Sequence, residues 1–455
     1  MNTLKTDIGD KTRIKVRKRM LEREATFESP EYKRSRNAYT LQCMFEYFVA
    51  LLLADSFLAK LLSSVGFDDG SIGIISSLIS LAFVFQLFSL LLSRKRGSKK
   101  VMILALDAVG QFLFLALYLL PFIGIADGVR RVLVYVFIIG AYLCKYLVST
   151  FLFQWANGYV HPKKRASYSG TKEIISLVAG IVFSFVAGKV FDMYEESGNL
   201  RGGFLFLAVL ILASNVASFI CLLLIKREKQ PTKSEIPRKK LSDIMRSTFG
   251  NKNFRRLVVI ATLWKAAQYF TVGFMGSFKI DTEGNGLGMT LAAVAIVGMV
   301  ANVARMLITK PFASYSDKTS FAKGFYLSMF IAIAAFACNV FTTQYTWWLV
   351  IGYTVLHAVC AAGHGQNAFN MTYSYVDSNY IAEAMALQNC VSGVIGFGCS
   401  LVAGKILNAV QGAGNVVFGI PVFGQQILSL ISILIIVFCI IYMRMTIMRE
   451  KVMKQ

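Results

Sequence analysis

The sequence predicts an all-α polytopic membrane protein of about twelve transmembrane helices, arranged as two duplicated six-helix bundles. Three observations lead there. The 455 residues are 56% hydrophobic and only 16% charged, with a mean hydropathy of +0.57, which leaves too little polar surface for a soluble chain of this length. The apolar residues gather into runs of roughly 20, the length that crosses a bilayer as a helix. A stretch of the first half also recurs in the second without a gap. Aligning Val160 with Val376 sets an offset of 376 − 160 = 216, which also pairs Ala166 with Ala382, Ser176 with Ser392, Gly180 with Gly396 and Ser184 with Ser400. The same offset pairs Val186-Ala187-Gly188-Lys189 with Val402-Ala403-Gly404-Lys405.

Taken in order, the spans fall near 40–64, 70–93, 101–124, 131–155, 168–190 and 203–225 in the first bundle. In the second they fall near 256–280, 286–309, 322–342, 346–372, 383–408 and 425–446. The chain therefore divides into a basic arm (1–36), a first bundle (37–225), a linker (226–255), a second bundle (256–447) and a tail (448–455). In the linker, Leu241, Ile244, Met245 and Phe249 recur at helical spacing among charges, which predicts a short helix lying on the membrane face. The first apolar run begins past residue 30 and is too long for a cleavable signal peptide.

A net charge of +23, from 48 basic and 25 acidic residues, could suggest nucleic acid as a partner; its placement does not. Basic residues crowd the arm (Lys11, Arg13, Lys15, Arg17, Lys18, Arg19, Lys33, Arg34, Arg36), the turns Arg94–Lys100 and Lys163–Arg165, the linker (Lys226, Arg227, Arg238, Lys239, Lys240, Arg255, Arg256) and the tail (Arg444, Arg449, Lys451, Lys454). The intervening connections, Asp68-Asp69-Gly70, Thr342-Thr343-Gln344-Tyr345 and 411–424, carry none. Excess on alternate loops is the positive-inside pattern and predicts both termini in the cytoplasm of a plasma-membrane protein. The polybasic arm also suits anionic lipid, although most such arms only set topology. All eight cysteines lie in apolar runs without paired spacing, so no metal site or redox couple is expected. No phosphate-binding loop or nucleophile motif points to an enzyme or a cofactor.

Polar groups inside the spans are costly in hydrocarbon and are the functional candidates. Span 1 holds Glu46 and Asp55, span 3 holds Asp107, span 4 holds Tyr142 and Lys145, span 8 holds Arg305, and span 10 holds His357, His364 and Asn367. On span 7, Thr262, Lys265, Gln268 and Tyr269 form one polar stripe. Counting about 1.5 Å per residue from the predicted ends puts Glu46, Lys145, Lys265 and His364 in one layer. Glu46 and Asp55 are nine residues apart, on opposite sides of a continuous helix, so only one faces the cavity, and depth favours Glu46. Asp107 and Arg305 fall near helix ends where snorkelling relieves their cost. Gly180, Gly188, Gly393, Gly396, Gly398 and Gly404 permit close helix approach, and Trp347 and Trp348 read as interfacial anchors.

Duplicated bundles with cytoplasmic termini, a long basic linker and basic turns after spans 2 and 8 resemble the major facilitator superfamily of secondary transporters. The family's turn after span 2, Gly-x-x-x-Asp-Arg/Lys-x-Gly-Arg/Lys-Arg/Lys, fits here at Lys95, Gly97 and Lys99 but has Arg94 in place of the acid. The turn after span 8 keeps Asp317-Lys318 and has Ser320 in place of glycine. The drug-antiporter glycine-proline motif of span 5 and the sugar-porter turn after span 6 are both missing. The resemblance implies that spans 1, 4, 7 and 10 line a central cavity, with Glu46 and Lys145 paired in the first bundle and Lys265 with His364 presenting positive potential from the second. It also implies a gating role for the Asp317-Lys318 turn, while their positions make Asp107 and Arg305 structural or gating candidates and Asp55 a further coupling or gating candidate. Such a cavity suits a small polar, carboxylate- or phosphate-bearing solute, with protonation of Glu46 or His364 as the coupling event. Two other readings fit the chain: an exporter of amphipathic compounds built on Phe45, Tyr47, Trp264, Tyr269 and Phe274, and a non-transporting receptor or scaffold.

Overall fold

Backbone groups in hydrocarbon have no water to bond, so each apolar run closes its hydrogen bonds within a helix. The computed structural model describes residues 27–93, 100–161, 164–226, 241–376 and 380–449. The basic positions Lys11 to Arg19, Arg94 to Lys99, Lys163, Arg227, Arg238 to Lys240, Lys451 and Lys454 lie outside the described residues.

Span 1 is α1 (Pro30–Leu52) and α2 (Asp55–Ser64); span 2 is α3 (Asp69–Ser76), α4 (Leu78–Leu81) and α5 (Phe83–Ser93). Spans 3 to 6 are α6 (Lys100–Leu119), α7 (Asp127–Asn157), α8 (Arg165–Glu196) and α9 (Leu200–Leu224). The linker helix α10 (Leu241–Gly250) precedes span 7, which is α11 (Lys252–Thr271) and α12 (Met275–Ile280). Spans 8 to 12 are α13 (Leu291–Lys318), α14 (Phe321–Val340), α15 (Leu349–Tyr375), α16 (Ile381–Gly412) and α17 (Gly424–Met445). Among the described residues, ten helices are long and apolar enough to cross a membrane. Spans 1 and 10 are not in that set: the first is broken and acidic, and the second carries two histidines, a glutamine and two asparagines.

Helix starts follow their capping residues. Asp68, Asn199, Asn251, Thr290 and Ser320 each accept a backbone N–H of the first turn they precede. The serine at 320, where the superfamily turn has glycine, is thus the cap of span 9. Span 1 begins at Pro30, a favoured first helical position, so the end of the basic arm is already helical. Span 8 runs on to Lys318, well beyond the expected 309.

Span 1 breaks at Leu53–Ala54, where Ala54 is extended and Asp55 adopts φ +48°, a left-handed conformation that aspartate tolerates better than most side chains. The Tyr118 hydroxyl donates to the freed Leu52 carbonyl. Span 7, its repeat partner, tightens into a 3₁₀ turn at Val272–Phe274. The two interruptions meet: the Ser56 hydroxyl donates to the Gly276 carbonyl at 3.1 Å.

One apolar core gathers around Leu52, Leu61, Leu62 and Phe191 and reaches across to Ile280, Leu291 and Val294; another gathers around Trp264, Phe325, Phe336 and Cys439. Between bundles, span 5 packs on span 8, span 2 on span 11 and span 1 on span 7. The duplicated glycines sit at equivalent contacts. A Cβ on Gly180 would lie 2.4 Å from Tyr47, and one on Gly396 would lie 2.7 Å from Tyr269. A Cβ on Gly188 would come within 2.9 Å of the Ala292 nitrogen across the bundle interface, and one on Gly404 within 3.0 Å of the Gly70 oxygen. Before span 12, β1 (Val416–Val417) and β2 (Ile420–Pro421) form an antiparallel hairpin pairing Val416 with Pro421 and Val417 with Ile420. Phe418 at its tip is fully exposed.

Candidate functional site

The bonds joining the bundles cluster at the face opposite the chain termini. Asp192, at the end of α8, is 5% exposed and accepts the Leu291 and Ala292 N–H groups at 3.0 and 2.8 Å. It thereby caps α13 across the interface, where the helix dipole favours an anion. Asn408, 408 − 192 = 216 residues on, does the same for span 2. Its Oδ1 accepts the Gly70 N–H at 3.1 Å while its Nδ2 donates to Asp68 at 2.8 Å, and Gln411 adds a bond to Asp69 at 2.7 Å. Lys279, with a side chain only 5% exposed, pairs with Asp55 at 2.7 Å.

Beneath this seal lies a cavity of about 370 Å³ between the bundles, with Asp55, Tyr142, Lys265, Gln268, Tyr269 and His357 among its walls. A second cavity of about 230 Å³ opens between spans 7, 10 and 11, walled by Trp264, Lys265, His364, Thr372, Gln388 and Ser392. Lys265 lines both. Its ammonium is 5.5 Å from the centre of the Phe83 ring and 5.4 Å from that of Tyr269, contacts that offset part of its desolvation. Among the described residues no carboxylate lies within ion-pair distance of it. His364 stacks on Trp264 at 4.9 Å and His357 at 6.3 Å; the Nε2 of each histidine is buried without a hydrogen-bond partner.

In the first bundle, Glu46 Oε1 lies 3.1 Å from Lys145 Nζ, and Gln42 donates to Glu46 Oε2 at 3.0 Å. This pair lines neither cavity. Asp55 does line the larger one, contrary to the helical-phase expectation, because the break at Leu53–Ala54 resets the phase. Asp107 is not relieved at a helix end: it is 8% exposed with Oδ2 unpartnered. Arg305 sits in mid-helix, since span 8 is longer than expected, and bonds Glu173 of span 5 at 3.0 Å across the interface. Asn367 faces away from the cavities, packed against Ser316 and Gly324, with its amide on the Gly363 carbonyl. Thr262 lines neither cavity and donates to Val258 in its own helix. Asp317 and Lys318 are exposed at the terminal end of α13.

Sequence reasoning passed over Lys279, Glu173, Asp192 and Asn408. The repeat offset was the available signal for the last two, but one is an acid and the other an amide, so identity matching does not pair them.

A broken pair of pseudo-equivalent helices, a sealed face and a polar cavity between two repeats define a transporter architecture. The chain belongs to the Major Facilitator Superfamily, whose model matches residues 38–401. Membership places it among membrane transporters and not among enzymes. No curated protein matches the sequence. Among solved structures it is similar to the nucleoside transporter NupG, with 14% identity, a TM-score of 0.65 and coverage of 93% of this chain and 100% of that one. It is also similar to a bacterial homologue of the human lysosomal transporter Spinster, solved inward-facing and unoccupied, with 14% identity, a TM-score of 0.67 and coverage of 92% and 97%. The POT family transporter PepTSo matches with 11% identity, a TM-score of 0.63 and coverage of 92% and 99%.

Proposed function

We propose that the protein moves a small polar anion across the plasma membrane by alternating access, coupled to protons, with both termini cytoplasmic. The observation that carries the reading is Lys265: a half-buried ammonium at the junction of two cavities with no acid beside it among the described residues. A charge in that setting is expensive unless an opposite charge joins it, and a substrate carboxylate or phosphate supplies one. Gln388 and Ser392 in the smaller cavity, and Gln268 and Tyr269 in the larger, offer neutral donors. Trp264 with its stacked histidines offers a flat apolar wall. The seal at the non-terminal face corresponds on this reading to a state open to the cytoplasm. The cargoes named for similar structures differ among themselves, so the cargo class is read from the cavity.

The test is a thermal-shift panel on the detergent-purified full-length protein, with mono- and dicarboxylates, phosphate esters, sugars and lipophilic cations. Ligand at about 100 times its Kd stabilises by about 2.7 kcal/mol. We expect stabilisation by one class of anion, lost in Lys265→Ala. Stabilisation by lipophilic cations alone, unaffected by that substitution, overturns the anion reading in favour of amphipath export.

A further inference from the structure

The first bundle holds a group of buried oxygen atoms that substrate recognition does not use. Asp107 Oδ2 and Gln111 Oε1 on span 3 have no hydrogen-bond partner, and neither do Asn215 Oδ1 and Ser218 Oγ on span 6. Asp107 and Asn215 are each 8% exposed and Ser218 is fully buried. They form one group. The Asn215 side-chain amide donates to the Gln111 backbone carbonyl at 3.0 Å, and Asp107 precedes Gln111 by one turn of the same helix. Because spans 3 and 6 pack antiparallel, Ser218 lies one turn from Asn215 on the side where Asp107 lies one turn from Gln111. Every bare atom of this group can accept a hydrogen bond, and only the serine can donate one.

The charges facing Asp107 are few. Span 1 contributes Glu46 and span 4 contributes Lys145. Cys144 of span 4 and Cys221 of span 6 are buried thiols. Lys172 of span 5 contacts Cys43 at 3.3 Å and acts electrostatically on Glu46 as well. With Lys145 held by Glu46, an ionised Asp107 has no ion-pair partner among the described residues, and a buried carboxylate in that state is costly.

We propose that this group is a proton-binding site, with the proton carried on Asp107 Oδ2 and not on Glu46. The proposal rests on the proton-coupled reading above and names where the proton sits. Bound there, the proton neutralises the buried carboxyl and adds one hydrogen-bond donor to a group made mostly of bare acceptors. On release, the Asp107 O–H bond breaks, the electron pair stays on the carboxylate, and the proton passes to water beside the partly exposed Glu46–Lys145 pair. The ionised Asp107 then competes with Glu46 for Lys145, so proton loss rearranges the wall formed by spans 1 and 4.

The experiment is infrared difference spectroscopy of the purified full-length protein in deuterated buffer, titrated from acid to alkaline pH, with and without sodium. A protonated buried carboxyl gives a carbonyl band distinct from that of a carboxylate. The band is expected in the wild type near neutral pH, to vanish on alkalinisation, to be lost in Asp107→Asn and to persist in Glu46→Gln. Should Asp107→Asn fail to fold, Asp107→Glu must shift the band. A band that survives in Asp107→Asn, is unmoved in Asp107→Glu, disappears in Glu46→Gln, or is abolished by sodium at constant pH overturns the proposal. Anion stabilisation dependent on Lys265 is read separately, so failure of either idea is distinguishable from failure of the other.

Discussion

Replacing Asp192 by alanine removes two charge-assisted hydrogen bonds that span 5 makes to the first turn of span 8. Bonds to an ionised group contribute about 1.5–3 kcal/mol each, and the Asp192 side chain is 5% exposed, so water does not easily replace it. A loss of about 3 kcal/mol in the sealed state is expected, which at about 1.4 kcal/mol per decade is roughly a hundredfold shift toward opening. Because Asn408 caps span 2 on the same face, opening there must release both caps together. Hydrogen–deuterium exchange read by mass spectrometry tests this in the purified protein. Peptides covering 286–300 and 66–77 should both exchange roughly a hundredfold faster in Asp192→Ala. Acceleration confined to 286–300 would show the caps to be local helix stops, and the idea of one cooperative seal would fail.

Other consequences can be checked with the same preparations. Gly188→Ala and Gly404→Ala each force a methyl group against backbone atoms across the bundle interface and should destabilise the sealed face by about 1–3 kcal/mol, seen as faster exchange at that face and a lower Tm. Asp55→Ala strands the Lys279 ammonium. With Asp55 itself 44% exposed, we expect a cost of about 2 kcal/mol, below the range for fully buried pairs, and Asp55→Ala with Lys279→Met should recover most of it in thermal unfolding. Arg305→Gln breaks a pair whose side chains are 39% and 55% exposed, so stability should change by less than about 1 kcal/mol; a larger drop in Tm would mean that the pair is a structural clamp.

The helices were legible because each is set by a long apolar run, and the repeat was legible because tight contacts at Gly180, Gly188, Gly396 and Gly404 restrict those positions to small residues. The pairing partners were harder to read. Placing Asp55 by helical phase assumes a continuous span 1, and the chain breaks at Leu53–Ala54 with neither glycine nor proline to mark it. From sequence, Arg305 lies near a helix end because the apolar run stops at Lys310-Pro311, yet the helix continues through that proline to Lys318. Lys279 was invisible because its meaning depends on Asp55, which is distant in sequence. Asn367 shares a helical face with His364, but the neighbouring span 9 is close enough there to turn it into a packing residue.

The hairpin before span 12 has a practical consequence. Its two strands are closed by a Val422 to Asn415 backbone bond of 2.8 Å and fastened to the loop between spans 7 and 8 by Asn415 and Asn285 at 2.9 Å, while Phe418 is fully exposed. Loop tips of this kind tolerate inserted sequence. An epitope grafted between Val417 and Gly419 would stand clear of both cavities and of the bundle interface, giving a rigid handle by which a binder could orient a 50.5 kDa chain in electron micrographs.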